Sequence, residues 1–198
     1  MSDVTPTRSV VLEQKDERRA MHDGYVFLDE KCLLLAGEML RELAHYTALQ
    51  RDFLAAWDAA VASLRAAAAR HGLEGLQVYP PADLAAAHVR RTPHSLMGVR
   101  LQDAELVAGA APGPAAIDRS PEAEACRHAF HALGGGAAPL AAVVGNLERL
   151  QLEYRRAVRR ARALQDVLLP ELDRSIGEIE TRLEELEQED AIWMRAGA

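Results

Sequence analysis

The C-terminal part of the chain, from Leu147 to Trp193, carries an apolar pattern that favours one kind of structure. Apolar residues recur there in alternating steps of three and four, at Leu147, Leu150, Tyr154, Ala157, Ala161, Leu164 and Leu168. Such a seam is typical of a helix that packs along one partner helix. We therefore predict a final long helix over residues 140–194.

The spacing of the seam changes inside this helix. Leu164, Leu168, Leu172 and Ile176 are each four residues apart, and the alternation resumes at Ile179, Leu183 and Leu186. Because this local period exceeds the 3.6 residues of an α-helical turn, the supercoil should straighten or reverse its hand there. Pro170 lies in the same stretch, and since the pattern continues beyond it we predict a kink, not a break.

A second seam begins near the N-terminus. From about Val10, apolar residues recur at helical spacing, at Met21, Tyr25, Leu28, Cys32, Leu35, Met39, Leu43, Tyr46, Leu49, Phe53, Trp57, Ala60 and Leu64. One long helix is the simplest interpretation, with His71-Gly72 as its stop. Because a helix of this length is not stable alone in water, we predict that the two long helices pack antiparallel.

Residues 73–119 differ in composition from both seams. Prolines and glycines interrupt any helical period, and short β-leaning pieces occur at Leu76–Tyr79, Ala87–Arg90 and Leu96–Leu101. This composition predicts a small head with a β-hairpin and loops. The Pro/Gly/Ala segment Ala108–Ala116 is expected to be mobile.

The segment after the head predicts a helix start and then an interruption. Ser120 suits the N-cap, Pro121 the first helical position and Glu122 the first turn. Gly134–Gly136 and Pro139 are expected to interrupt this helix.

The predicted fold is mainly α, a long antiparallel two-helix coiled-coil hairpin with a small β-hairpin insert. Its expected parts are an N-terminal helix in residues 1–72, a head in residues 73–119, and a C-terminal helix in residues 120–198 that is interrupted near 134–139.

Composition and charge narrow the class of function. The formal net charge of −7 and the pI near 5.5 argue against general nucleic-acid binding, which needs a basic surface. We expect no apolar run of the roughly 18–20 residues that span a membrane, and residues 1–8 do not resemble a signal peptide. The two cysteines, Cys32 and Cys126, favour a reduced, cytoplasmic setting. Peripheral attachment to a membrane complex is compatible with all of this.

Three short motifs are candidates for chemistry, and each has a better structural explanation. Glu42 and His45 have the Glu-x-x-His spacing of di-iron bundles, but no second copy follows, so a surface helix is the better interpretation. Gly134–Gly136 lacks the Gly-Lys-Ser/Thr ending of a phosphate loop. A third group has poor spacing for a zinc site and no fourth ligand: Cys126, His128 and His131. We predict no catalytic, cofactor or metal site.

Charged residues on the last helix form two bands of opposite sign. The basic band surrounds the seam and contains Arg155, Arg156, Arg159, Arg160 and Arg162. The acidic band lies nearer the C-terminus and contains Glu178, Glu180, Glu184, Glu185, Glu187, Glu189 and Asp190. A solvated coiled-coil surface explains most of these side chains individually. The functional interpretation is that the bands meet different partners, where they would set register and steering more than affinity.

Several segments occur in an order and spacing that resemble one family. The N-terminal segments are Pro6-Thr7-Arg8 and Gly24-Tyr25-Val26-Phe27-Leu28-Asp29-Glu30-Lys31, and the middle segment is Met97-Gly98-Val99. The C-terminal segments are Arg159-Arg160-Ala161-Arg162-Ala163-Leu164, Leu169-Pro170, Leu172, Ile176, Ile179-Glu180, Leu183-Glu184-Glu185 and Glu187. Together they resemble the D subunits of the V-type and A-type (V/A) rotary ATPases, which form the central-stalk shaft. The chain departs from that family at Cys32, at Ala161-Arg162 and at Gly134–Gly136.

The resemblance implies a non-catalytic rotor subunit that couples ATP hydrolysis or synthesis in a catalytic head to ion transport through a membrane ring. The end with both termini would lie inside the hexamer of catalytic and non-catalytic A and B subunits. The lower part would bind the small F subunit of the stalk and the funnel-shaped C/d subunit on the ring. The expected contact residues are the arginine band, the Met97-Gly98-Val99 hairpin, and the acidic residues Glu184, Glu185 and Glu187.

Two other classes of protein fit a helical hairpin. A stalk protein of a flagellar or type III export ATPase is also an antiparallel hairpin, but such stalks usually lack a β-hairpin insert. A coiled-coil scaffold or adaptor would have no nucleotide-binding partner. Co-purification of a nucleotide-binding hexamer distinguishes the rotor from the scaffold.

Overall fold

Two long helical runs flank a small β-hairpin in the computed structural model, which describes residues 7–77, 79, 87–107 and 119–196. The elements in chain order are helix α1 (Arg8–Gln77), strands β1 (His88–Leu96) and β2 (Val99–Val107), helix α2 (Pro121–Ala163), a π-helical turn (Leu164–Leu168) and helix α3 (Leu169–Ala196). This order confirms the predicted mainly α fold with a β-hairpin insert.

The chain divides into two compact units. The terminal unit joins Met1–Leu34 to Tyr154–Ala198, and the middle unit contains Leu35–Glu153. Each unit pairs one part of α1 with a helical segment that follows the hairpin. Each therefore buries apolar residues of its own.

In the terminal unit, the first turns of α1 run antiparallel to α3. Three ion pairs join the two helices, and the partners on α3 descend in number as those on α1 rise: Arg8–Glu187, Lys15–Glu180 and Arg18–Asp173. Val11, Ile176 and Ile179 are buried together beside these pairs. The predicted antiparallel packing is confirmed in this unit.

The π-helical turn lies where the spacing of the seam changes. The N–H of Leu169 donates to the carbonyl of Leu164, an i→i+5 bond that widens the helix locally. A wider turn holds more residues, so apolar side chains four apart keep to one side of it. Pro170 follows, and α3 continues through it to Ala196. The irregularity falls where the sequence predicted one, and its form is a π-helical turn.

In the middle unit, the remainder of α1 runs antiparallel to α2. Arg70 donates to Glu122 in the first turn of α2, at 2.8 and 3.0 Å, and Phe53 lies beside Gly136 further along. Leu35 and Leu150 are fully buried. Most of the other buried apolar residues in these helices are small: Ala60, Ala67, Ala123, Ala142 and Val143. Small side chains at the contact allow the two helices to approach closely.

Helix α2 begins as predicted. The hydroxyl of Ser120 accepts a hydrogen bond from the N–H of Ala123 at 3.2 Å, which makes Ser120 the N-cap. Pro121 is the first helical residue, and Glu122 and Glu124 lie in the first turn. The Ser120 N–H in turn donates to the hydroxyl of Tyr79 at 3.1 Å, so the cap itself is held in place.

The predicted interruption of this helix is wrong. Helix α2 continues through Gly134–Gly136 and Pro139 without a break. A Cβ on Gly134 would lie 3.5 Å from Cδ2 of Leu106, and one on Gly136 would lie 3.6 Å from Cδ2 of Phe53. Both distances are ordinary van der Waals contact, so this segment packs against apolar side chains that stabilise it against the helical cost of about 1 kcal/mol for each glycine. Tertiary packing therefore overrides the local preference.

The end of α1 also differs from the prediction. Gly72 has φ 68° and ψ 167°, so the regular helix is interrupted at the predicted stop, but a further helical stretch continues to Gln77. Leu76 and Gln77 are consequently helical, and the predicted strand at Leu76–Tyr79 is wrong there. Val78 and the segment Ala108–Ala116 lie outside the described residues.

Strands β1 and β2 form an antiparallel hairpin around a two-residue turn. Leu96 pairs with Val99 across the turn. Met97 and Gly98 have φ of 48° and 84°, the two positive values that define a type I′ turn. The predicted strand Leu96–Leu101 is therefore two strand ends joined at Met97-Gly98.

The buried face of α1 is offset by one residue from part of the predicted seam. Leu43, Trp57 and Leu64 are exposed, whereas Glu42 and Ala67 are buried. Two seams with heptad spacing lie side by side on α1, and the inner one contains Leu35, Met39, Glu42, Tyr46, Leu49, Phe53, Ala56, Ala60 and Ala67. The predicted seam agrees with the inner one at Leu35, Tyr46 and Phe53, and it departs from the inner one at Leu43, Trp57 and Leu64, which are exposed.

One stretch of the second helical run is apolar and long enough to cross a membrane by composition. It lies within Pro121–Ala196, where residues 128–147 contain no Asp, Glu, Lys or Arg. The expectation that no such run exists is therefore wrong. Within the middle unit 22% of that apolar window is buried, and the buried residues in this stretch are Leu133, Ala142, Val143 and Asn146.

Glu42 provides a test of the inner seam. It is 9% exposed, and its Oε2 has no hydrogen-bond partner. Since burial of an unpaired polar atom opposes folding, Glu42→Leu should raise the free energy of unfolding by about 1–3 kcal/mol. Urea denaturation followed by circular dichroism measures the change.

The matched control is Glu17→Leu, an exposed glutamate on the same helix, which should change stability by less than about 0.5 kcal/mol. A loss of stability in Glu42→Leu would contradict the assignment of Glu42 to an unsatisfied buried position.

Candidate partner-binding surfaces

The sequence motifs considered for chemistry do not form a site. Glu42 is buried whereas His45 is exposed. Cys126 is half-buried, and His128 and His131 are exposed. Within residues 7–77, 79, 87–107 and 119–196, no group of three or more His, Cys, Asp or Glu side chains is placed to hold a metal ion.

The hairpin presents one exposed strand and one packed strand. Strand β1 is exposed from His88 to Ser95, whereas Val99 and Leu101 of β2 are buried. Of the predicted contact residues, Gly98 is exposed, Met97 is half-buried and Val99 is buried. The tip at Met97-Gly98 is therefore accessible to a partner, and Val99 serves to pack the hairpin.

Asn146 holds the hairpin against α2, and the sequence analysis missed it. Its side chain is fully buried. Its Oδ1 accepts a hydrogen bond from the backbone N–H of Gln102 at 2.9 Å, and its Nδ2 donates to the carbonyl of Gln102 at 3.0 Å. The sequence does contain an indication of this role, because Asn146 is a single amide side chain inside the charge-free run of residues 128–147. A polar side chain that is buried in such a run requires hydrogen-bond partners.

The arginine band is exposed as predicted. Each of its members, Arg155, Arg156, Arg159, Arg160 and Arg162, is accessible, while Ala157 and Ala161 between them are buried. Arg155, Arg159 and Arg162 follow one another by four and three residues, so they share one side of the helix. The terminal unit thus carries a basic strip that an acidic partner can approach.

The acidic end is partly neutralised within the chain. Glu187 accepts from Arg8 at 2.6 Å, and Glu180 from Lys15 at 2.6 Å. Glu184 and Glu185 are exposed and remain accessible. Glu187 therefore has a structural role within the terminal unit, alongside its predicted role in partner binding.

Two of the ion pairs between α1 and α3 shift the pKa of a side chain in the pair. The hydrogen bond to Glu187 raises the pKa of Arg8. The hydrogen bond from Arg18 lowers the pKa of Asp173 below its ordinary value of 3.8, and Arg18 contacts both carboxylate oxygens. The first pair therefore favours the charged form of Arg8, and the second favours the charged form of Arg18 and Asp173.

The outer seam of α1 is an apolar surface that the sequence analysis did not separate from the core. In the middle unit it exposes Leu40 by 69%, Leu43 by 47%, Leu54 by 53% and Trp57 by 49%. These residues recur at heptad spacing, which suits docking of another helix. Large apolar side chains in a regular row on a surface are typical of a protein interface.

The end of α3 is a second exposed apolar surface. Ile192, Trp193 and Met194 are 65%, 78% and 72% exposed. They follow one another directly, so they point to several sides of the helix and do not continue its buried seam. A tryptophan and its apolar neighbours at an exposed helix end are suited to a partner's pocket.

Comparison with known proteins identifies the family. The sequence model of the family described as the D subunit of ATP synthase matches residues 10–195. The chain is also 25% identical over 193 residues to the D subunit of the V-type ATP synthase of Thermotoga neapolitana, across 97% of this chain and 95% of the relative.

The chain belongs to this family of ATP synthase D subunits. It is therefore a stalk subunit of a V/A-type ATPase and a component of a larger complex, as its sequence resemblance predicted. The match includes both long helices and the hairpin.

The pair Arg18–Asp173 makes a prediction about pH. Because folding lowers the pKa of Asp173, the pair stabilises the terminal unit above the unfolded pKa. That stabilisation is lost as pH falls through the lower, folded pKa. The difference in melting temperature between the natural chain and Asp173→Asn should be present at pH 7, begin to fall near pH 3.8 and disappear only below the lower, folded pKa.

Glu178→Gln is the matched control, since Glu178 is an exposed carboxylate on the same helix. It should show no comparable loss at pH 7. A difference for Asp173→Asn that persists unchanged in strong acid would exclude this ion pair as its source.

Proposed function

We propose that the chain is the central rotor shaft of its ATPase complex and has no catalytic activity itself. It would couple ATP hydrolysis or synthesis in a catalytic head to ion transport through a membrane ring. The observation that carries this proposal is the family match over residues 10–195. Antiparallel helix pairing in both units, with apolar and charged surfaces left exposed, supports it.

The mechanism depends on asymmetry. A two-helix shaft presents different side chains in different directions, so it contacts each catalytic interface of a three-fold head differently. Rotation would then favour the open or closed state of each interface in turn. A shaft can drive such a change only through contacts that differ between the two states.

The terminal unit would lie inside the hexamer of A and B subunits. Its arginine band and the exposed end at Ile192–Met194 are the surfaces that we assign to this contact. Exposed ion pairs contribute little affinity, so the arginines would set rotational register, and apolar contacts such as that of Trp193 would contribute more of the binding energy.

The middle unit would bind the other stalk components. The outer seam of α1, with Leu40 and Trp57, suits a helix of the small F subunit of the stalk. The hairpin tip at Met97-Gly98 is accessible to a further component, and the funnel-shaped C/d subunit would connect the shaft to the ring. The chain would thus be cytoplasmic and peripheral to the membrane.

The first test is recovery of the complex. The full chain, tagged and purified under gentle detergent, should recover the nucleotide-binding A and B subunits together with the F subunit in stoichiometric amounts. A chain that recovers no nucleotide-binding hexamer would be a scaffold, and one that recovers an export ATPase would be an export stalk.

The second test is replacement of four arginines by alanine: Arg155, Arg156, Arg159 and Arg160. We expect fewer ions transported per ATP hydrolysed, or a smaller assembled fraction, because the basic strip sets the register with the head. Ion transport and ATPase rate are measured together in reconstituted vesicles.

The matched control replaces the same four residues by lysine, which keeps the charge but not the planar guanidinium. Partial retention of coupling in the lysine variant would support a role for charge. Unchanged coupling and assembly in the alanine variant would count against the assignment of this strip to the head.

A further inference from the structure

We infer that Asn146 is a positioning residue that fixes the register of the β-hairpin along α2. The inference concerns this chain alone, and only its effect on coupling rests on the proposed function. It follows from the hydrogen bonds of one side chain, the pairing of the hairpin and the location of one proline.

The turn determines which backbone groups of β2 point away from β1. With Leu96 and Val99 next to a two-residue turn, hydrogen-bonded pairs fall at every second position, including His94 with Leu101 and Thr92 with Asp103. Pro93 and Gln102 lie opposite each other as a non-hydrogen-bonded pair. The N–H and C=O of Gln102 therefore point outward, along the edge of the hairpin.

Asn146 satisfies both of these outward groups. Its amide oxygen accepts the Gln102 N–H at 2.9 Å, and its amide nitrogen donates to the Gln102 carbonyl at 3.0 Å. The side chain thus substitutes for one residue of a third strand. Arg149 donates to the same Oδ1 at 3.1 Å, which fixes the orientation of the amide.

The hairpin also makes apolar contact with α2. Leu101 is 1% exposed, and Leu106 lies against Gly134. Apolar contacts stabilise the packing but have little directionality, so they tolerate a small shift along the helix. The paired hydrogen bonds of Asn146 permit one register only, because a shift by one residue would present backbone groups that point toward β1.

The opposite edge of the hairpin carries Pro93. Its position on β1 is also one whose backbone N–H would point outward, so the missing N–H removes no bond of the ladder. A proline there also hinders the addition of another strand to the exposed edge. One edge is thus held by Asn146, and the other is protected against pairing.

The experiment measures hydrogen exchange of individual amides by NMR in the full-length chain. In Asn146→Leu, the amide of Gln102 should exchange at least tenfold faster, because its acceptor is lost. The ladder amides of Leu101 and Asp103 bond to β1 and should change by less than threefold. Asn146→Ala, which also removes the acceptor, provides a second variant with the same expected result if the leucine variant does not fold.

Gln151→Leu is the matched control, since Gln151 is an exposed amide on the same helix. Unchanged protection of Gln102 in Asn146→Leu would overturn the inference. Equal acceleration of all amides of the middle unit would also overturn it, because that result indicates a purely structural role.

The number of ions transported per ATP hydrolysed is also measured for the Asn146 variant in the reconstituted complex. This measurement distinguishes failure of the inference about Asn146 from failure of the proposed function. Faster exchange at Gln102 together with fewer ions transported per ATP supports both. Faster exchange at Gln102 with unchanged coupling supports the positioning role and counts against a contribution of the hairpin to coupling.

Discussion

Antiparallel packing of α1 on the helices that follow the hairpin is the interaction on which the other features depend. A long helix gains too little from its own hydrogen bonds to be stable in water, so its apolar face needs a partner. Much of the buried surface comes from small residues such as Ala60, Ala67, Ala142 and Ala157. Close approach of two backbones replaces the thick core of a globular domain.

This mode of packing also determines what is left on the surface. Because one face of α1 packs on its partner helix, large side chains on the neighbouring face, such as Leu40 and Trp57, remain outside. Two helices cannot cover apolar residues on several sides of each other. The chain therefore carries apolar surfaces suited to binding other proteins, as membership of a multi-subunit complex requires.

The hairpin depends on the same helix pair but is held in a different way. Its apolar contacts with α2 stabilise the packing, and the hydrogen bonds of Asn146 fix the register of the hairpin along α2. The glycines of α2 belong to this arrangement, because Gly134 lies beside Leu106 and Gly136 beside Phe53. A segment whose local preference is to interrupt a helix is thus kept helical by the residues that pack against it.

The sequence by itself determined the two long helices, their antiparallel pairing, the Ser120 cap, a β-hairpin between the helices and the location of the irregularity before Pro170. These features follow from periodicity, capping and turn chemistry, which act between residues close in the chain. It also carried the family resemblance and the exposure of the arginine band.

Only the tertiary structure decided which of two adjacent seams on α1 is buried, whether Gly134–Gly136 breaks α2, and which atoms Asn146 binds. Glu42 and Leu43 are consecutive residues that each fit a heptad pattern along α1, so spacing alone does not separate inside from outside. Each of these outcomes depends on distances between residues far apart in sequence, and such distances are set by the packing of one element on another.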